Sequence, residues 1–177
     1  LCPTRFFTGD PLYRERCAPP QEARLQRRAM YWEPYHQALQ SEIRRLKAQH
    51  GFVLLWDAHS IRSEIPWLFD GRLPDLNIGT ADGTSAHPAI ANATLGVAVR
   101  HPRLTHVLNG RFKGGFITRH YGRPAEHVHA VQLEMCQSLY MREVPPWTYD
   151  AERASRIEPV LHEMMQAALE AARKLYG

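Results

Sequence analysis

Three groups of residues in this sequence have the types and spacing for hydrolytic chemistry on an anionic small molecule. The first is Asp57-Ala58-His59-Ser60, directly after the apolar run Phe52-Val53-Leu54-Leu55-Trp56. A neutral imidazole on a rigid strand end is a good divalent-metal ligand, and a carboxylate two residues away can fix its tautomer. A structural histidine is the competing reading. Ser60 as a nucleophile would need a base and an oxyanion hole, and no G-x-S-x-G surrounds it. The second is Glu134, set between Leu133 and Met135 in an alternating segment. Its neighbours predict burial, which is costly for a carboxylate unless it is paired or used. Desolvation raises its pKa and suits a general base; the alternative is an ion pair with one of the arginines. The third is the set Arg62, Arg111, Lys113, Arg119 and Arg123, all in segments that read as loops or strand ends. The planar fork of arginine bonds carboxylates bidentately, and flanking glycines allow close approach. His120, His127 and His129 match no standard zinc spacing, and H-E-x-x-H is absent.

The elements that must position these residues are legible in the hydrophobic periodicity. Leu25, Ala29, Trp32, His36, Leu39, Ile43 and Leu46 recur at steps of three and four and predict a helix, with Gly51 as its C-cap. Pro34, lacking an N–H, should kink this helix or begin its second half. Phe52–Trp56 reads as a strand buried on both faces, and polar groups at such strand ends are where open α/β sheets place their sites. Further strands are expected near Leu76–Ile78, Thr105–Leu108, Phe116–Thr118 and His129–Met135, and a helix over Pro88–Arg100. Asp150 should cap a last helix with the apolar stripe Ile157, Val160, Leu161, Met164, Ala168, Ala172 and Leu175. Helices alternating with apolar strands point to an α/β layer fold.

Composition narrows the function classes. The chain has 177 residues, 44% of them hydrophobic, which fits one domain over 1–177 with its own core and excludes global disorder. No apolar run of about 18 residues exists, so no transmembrane helix is expected. The net charge of +4 is dispersed, with no RNP-like or zinc-finger signature, which argues against a nucleic-acid partner. Cys2, Cys17 and Cys136 are too few for a disulfide framework and suggest a reducing, cytoplasmic setting, although Cys2 and Cys17 could pair. Cys136 reads as a small buried hydrophobe more readily than as a nucleophile. The chain opens Leu1-Cys2-Pro3-Thr4 without an initiator Met, so a fragment is expected.

Six stretches then carry a specific resemblance: Tyr31–His36 (YWEPYH), Leu55–Ser63 (LWDAHSIRS), Gly71–Thr80 (GRLPDLNIGT), His106–Gly115 (HVLNGRFKGG), Thr118–Pro124 (TRHYGRP) and His129–Glu134 (HAVQLE). Together they resemble the N-formylglutamate amidohydrolases, the deformylases of bacterial histidine degradation, which hydrolyse N-formyl-L-glutamate to formate and L-glutamate. The resemblance implies a phosphorylase/hydrolase-like, zinc-carboxypeptidase-like three-layer α/β/α fold with a mixed central sheet. It implies a divalent metal, zinc being expected, with His59 as one ligand and Glu134 as the catalytic base. It places Arg62, Arg111, Arg119 and Tyr121 with the substrate carboxylates and the scissile carbonyl. It also implies an N-terminal region, with the remaining metal ligands and the first strands, ahead of the residues present here. The chain then corresponds to the C-terminal two-thirds of a catalytic domain, incomplete at its N-terminus, and this fragment alone could be inactive. A related metallo-deacylase of another N-acyl amino acid, or a metal-free binding fragment, are the alternative readings.

Overall fold

The amphipathic segment 21–50 folds as one helical rod in three parts: α1 (Gln21–Arg27), a π-helical turn (Arg28–Trp32) and α2 (Glu33–His50). The structure, a computed structural model, describes residues 3–6 and 8–177, so a Cys2–Cys17 pairing lies outside the described residues. Pro34 sits in the first turn of α2. A regular α ladder would ask it for an N–H it lacks, and the wider turn ahead of it absorbs the mismatch. Pro34 therefore begins the second half of the rod. Gly51 closes α2 in the left-handed region, its N–H donating to Lys47 O.

Four strands form a mixed sheet in the order β1 (Val53–Ile61), β4 (Val128–Cys136), β2 (Leu76–Gly79), β3 (His106–Leu108). β1 runs parallel to β4 and β2 parallel to β3, while β2 and β4 are antiparallel. On one face, Leu76, Ile78, Val131 and Leu133 pack under α3 (Pro88–Arg100) and α5 (Ala151–Tyr176). Of the stripe of α5 that reads apolar in the sequence, Ile157, Val160, Met164, Ala168 and Ala172 are buried and Leu161 is half-buried, while Leu175 in the last turn is exposed; Asp150 caps the helix by accepting from Arg153 N–H. The other face carries α2 and the short helix α4 (Phe116–Tyr121) over Val53 and Val128. The layering is thus the α/β/α arrangement expected.

Two expectations are corrected. Phe116–Thr118 is helical, the start of α4, because Ile117 and Tyr121, four apart, both pack against the Ile43–Val53–Val128 cluster. A three-residue apolar window cannot separate that period from a strand. The Phe52–Trp56 run is only half-buried at Leu54, Leu55 and Trp56. The reason is position: β1 is an edge strand among the described residues.

Candidate active site

The face beneath α2 and α4 changes character along the strands. Side chains alternate, so Val53, Leu55, Asp57, His59 and Ile61 of β1 share that face with Val128, Ala130, Gln132, Glu134 and Cys136 of β4. The first half is apolar and covered by the two helices. The last residues, Ile61 and Cys136, enter a separate apolar cluster with Ile65, Phe69 and Leu73. Between these two dry regions lies a polar step, Asp57 and His59 beside Gln132 and Glu134. Parallel register pairs Asp57 with Gln132 and His59 with Glu134. The step opens into a cavity of about 490 Å³ that also touches Arg111, Lys113, Trp32 and His36.

Glu134 is 7% exposed, and its carboxylate forms no hydrogen bond or ion pair among the described residues. Burial pushes its pKa above the ordinary glutamate value, His59 pulls it down and Asp57 pushes it up. Among the described residues no arginine pairs with it. His59 is half-exposed, with Nε2 2.9 Å from Asp57 Oδ1. Asp57 is in turn held by Thr118 Oγ1 at 3.3 Å. The carboxylate therefore fixes the ring as the spacing predicts.

The glycine-rich loop after β3 forms the cationic wall. Asn109, at positive φ, accepts from Thr80 N–H at 2.7 Å and donates to Thr80 Oγ1 at 2.9 Å. Gly115 N–H donates to Gln132 Oε1 at 2.7 Å. Gly79 is required there: a Cβ on it would lie 2.6 Å from the Lys113 carbonyl carbon. Lys113 pairs with Asp82 at 3.0 Å, and Arg111 stacks over Phe69 and donates to Leu68 O.

The structure thus brings together His59, Glu134 and Arg111. It does not bring Arg62, Arg119 or Tyr121 to the cavity wall. Arg62 lies over the Trp147 ring with its Nε buried and unpartnered. Arg119, on α4, donates to Gly114 O in the loop just before that helix. Tyr121 is buried, its hydroxyl 2.7 Å from His36 Nδ1. Ser60 bonds the Tyr140 hydroxyl at 2.8 Å rather than a base. Cys136 is fully buried with its thiol pushed up to about 12 by burial, which makes it inert. Trp32, His36 and Gln132 line the cavity and were not assigned from sequence. The YWEPYH stretch was the available signal for the first two, and the even-numbered face of β4 for Gln132.

Among the described residues no group of three or more His, Cys, Asp or Glu side chains could hold a metal ion. His59 with Asp57 is short of the three protein ligands of a catalytic zinc site, so these residues alone do not fit one. A larger groove of about 720 Å³, rimmed by Arg100, Arg103, Arg153 and Arg156, lies elsewhere. Arg100, Arg153 and Arg156 are paired with Glu163, Asp150 and Glu152, its histidine, His101, bonds the same Glu163 at 3.1 Å, and no carboxylate lines it, so size alone does not make it the reactive site.

An open mixed α/β sheet with a desolvated carboxylate beside a carboxylate-held histidine defines a hydrolase-like class of scaffold. The N-formylglutamate amidohydrolase family model matches residues 1–141, and the chain belongs to that family. It is 51% identical over 177 residues to the N-formylglutamate deformylase of Pseudomonas aeruginosa, covering all of this chain and 66% of that protein. It is 52% identical over 169 residues to the N-formylglutamate deformylase of Pseudomonas putida, covering 96% of this chain and 63% of that one. The chain therefore spans about two thirds of the length of these curated relatives. The crystal structure of an N-formylglutamate amidohydrolase from Ralstonia eutropha superposes with a TM-score of 0.73 at 24% identity, over 93% of this chain and 57% of that one. A gene product of Agrobacterium tumefaciens superposes with a TM-score of 0.66 at 18% identity, over 97% and 66%. At these identities the two structures establish the fold.

Proposed function

We propose that this chain carries the general base and part of the substrate pocket of an amidohydrolase that converts N-formyl-L-glutamate to formate and L-glutamate, the deformylation step of cytoplasmic histidine degradation. The observation that carries the reading is Glu134, a desolvated carboxylate without an ion-pair partner that faces a cavity with cations on its wall. The names of the relatives supply the substrate. Glu134 takes a proton from water as the water oxygen bonds to the formyl carbon. The carbon–nitrogen bond then breaks, and the same proton goes to the leaving amine, giving L-glutamate and formate. Arg111 offers a carboxylate a fork of donors.

We also assign His59 to a divalent metal, zinc as the family resemblance implies, with the ligands that complete the site lying outside the described residues. Bound there, the ion would acidify the attacking water and polarise the formyl oxygen.

The test is formate release from N-formyl-L-glutamate by the full-length protein. Glu134→Gln should lower kcat by about 10²–10⁴-fold and leave L-glutamate binding within about twofold. Undiminished kcat would remove Glu134 from the reaction. Elemental analysis of His59→Ala, expected to lose bound zinc, tests the metal assignment separately.

A further inference from the structure

The hydrolysis described above gives no task to the Tyr31–His36 stretch, yet two of its residues, Trp32 and His36, reach the same cavity. The π-helical turn that precedes Pro34 sets the register in which these residues, four apart, face it. Such turns recur at functional sites.

We propose that His36 recognises one carboxylate of the substrate by donating from Nε2, and that Tyr121 is the positioning residue that presents it. The proposal rests on the amidohydrolase reading for the identity of the substrate. The His36 ring is fixed by neighbours: Trp32 at 4.1 Å between centroids, Phe116 at 5.2 Å edge-on, and Tyr121 stacked at 5.8 Å. The Tyr121 hydroxyl has two acceptors in reach, His36 Nδ1 at 2.7 Å and the His36 carbonyl oxygen at 3.3 Å. In the proposed arrangement the hydroxyl, whose pKa burial raises, keeps its proton and gives it to Nδ1 rather than to the His36 carbonyl oxygen. Nδ1 is then an acceptor, and the ring proton sits on Nε2, which has no partner among the described residues. Burial and the neighbouring His120 lower the His36 pKa, so the ring is a neutral donor near neutral pH.

The electrostatic setting explains the use of such a donor. The cavity holds the carboxylates Asp57 and Glu134 as well as Arg111 and Lys113. A further arginine would form an ion pair with Glu134 and lower the pKa that the base needs. A neutral N–H, oriented by a buried hydroxyl, binds a carboxylate without that cost. A site built to hydrogen-bond a polar group rejects analogues that lack it far better than an apolar pocket can. Tyr121, which the family resemblance implies lies at the substrate, acts through His36 on this reading.

Titration calorimetry of the full-length protein with L-glutamate, L-glutamine and 4-aminobutyrate tests this, the last two each lacking one carboxylate. His36→Ala should weaken L-glutamate by about 10-fold or more, the value of a hydrogen bond to a charged group. It should weaken one of the two monoacids similarly and leave the other within about twofold. His36→Gln, which keeps an N–H donor, should recover part of the loss. Tyr121→Phe should move the His36 ring ¹⁵N signals away from the Nε2–H tautomer and, with N-formyl-L-glutamate, raise KM more than it lowers kcat. Equal weakening of all three ligands, no weakening of any, or no binding by the wild-type protein overturns the proposal. A wild-type protein that binds L-glutamate through His36 but releases no formate would instead remove the amidohydrolase reading.

Discussion

His129 should make the stability of this fold depend on pH between about 4 and 6.5. The ring is fully buried in β4, where Nδ1 accepts from His87 N–H at 3.2 Å and Nε2 lies 2.8 Å from the Tyr176 hydroxyl. A second ring proton would have to sit on Nδ1, facing a backbone N–H. Burial, then His87 and His127, lower the pKa from 6.5 to about 4. The native state therefore binds fewer protons than the unfolded chain at mildly acid pH. Stability is fully present above the unfolded value and is lost as pH falls through 6.5 toward 4. At pH near 4.5 the loss from this one group is about 2.5 kcal/mol, from about 1.36 kcal/mol per pKa unit. Urea unfolding at neutral pH and at about pH 4.5 reads it directly. The wild type should lose about 2–3 kcal/mol more than His129→Gln between the two conditions, whatever the variant's stability at neutral pH. Tyr176→Phe should lower stability by about 1–3 kcal/mol at both pH values, because it leaves Nε2–H unpartnered while keeping the titrating ring. A His129→Gln protein with the same pH dependence as the wild type would refute the argument.

Three further outcomes follow from the geometry. The acid limb of kcat/KM should lie above 4.5, the ordinary glutamate value, because Glu134 must be ionised to act and burial raises its pKa; a limb at or below that value would mean another base. Gly79→Ala should cost about 1–3 kcal/mol in thermal or urea unfolding and loosen the loop that carries Arg111, since its Cβ meets backbone, not a yielding side chain; an unchanged midpoint would contradict the close approach. Met164→Ala, at a fully buried position between α5 and the sheet, should cost about 2–5 kcal/mol, whereas truncating the exposed Met165 should cost about 0.5 kcal/mol or less.

What the sequence disclosed depended on how long each pattern was. The helix over Pro88–Arg100 and the stripe of α5 repeat their period for several turns, and both are found where the periodicity places them. Phe116–Thr118 offered three residues, and the packing partner that makes it helical, the Ile43–Val53–Val128 cluster, comes from segments remote in sequence. The half-exposure of Leu54, Leu55 and Trp56 depends on strand order, which no local pattern encodes. The same division holds at the site. Glu134 was legible because it breaks an apolar strand at a position where burial needs a reason, and His59 because it follows an apolar run at a strand end. Arginine carries no such mark: Arg111 lines the cavity, while Arg62 and Arg119 spend their guanidinium groups on an aromatic ring and a loop carbonyl.

The position of the polar step on the sheet explains why the two legible residues are also neighbours. In a parallel pair, register alone decides which side chains adjoin, and β1 and β4 match apolar with apolar at both ends: Val53 with Val128, and Ile61 with Cys136. A slip of one residue would turn Asp57 and His59 into the α3–α5 core and Leu54 and Trp56 toward the cavity, so burial fixes the register strongly. With the ends pinned, His59 must adjoin Glu134 and Asp57 must adjoin Gln132. The same two apolar clusters exclude water from either side of the step, and that exclusion raises the pKa of Glu134. The packing that folds the sheet and the desolvation that makes its carboxylate basic are therefore linked, and a substitution such as Ile117→Ala, at a residue that packs in the Val53–Val128 cluster and also lines the cavity, should lower the Glu134 pKa, read from the acid limb of kcat/KM, as well as the stability.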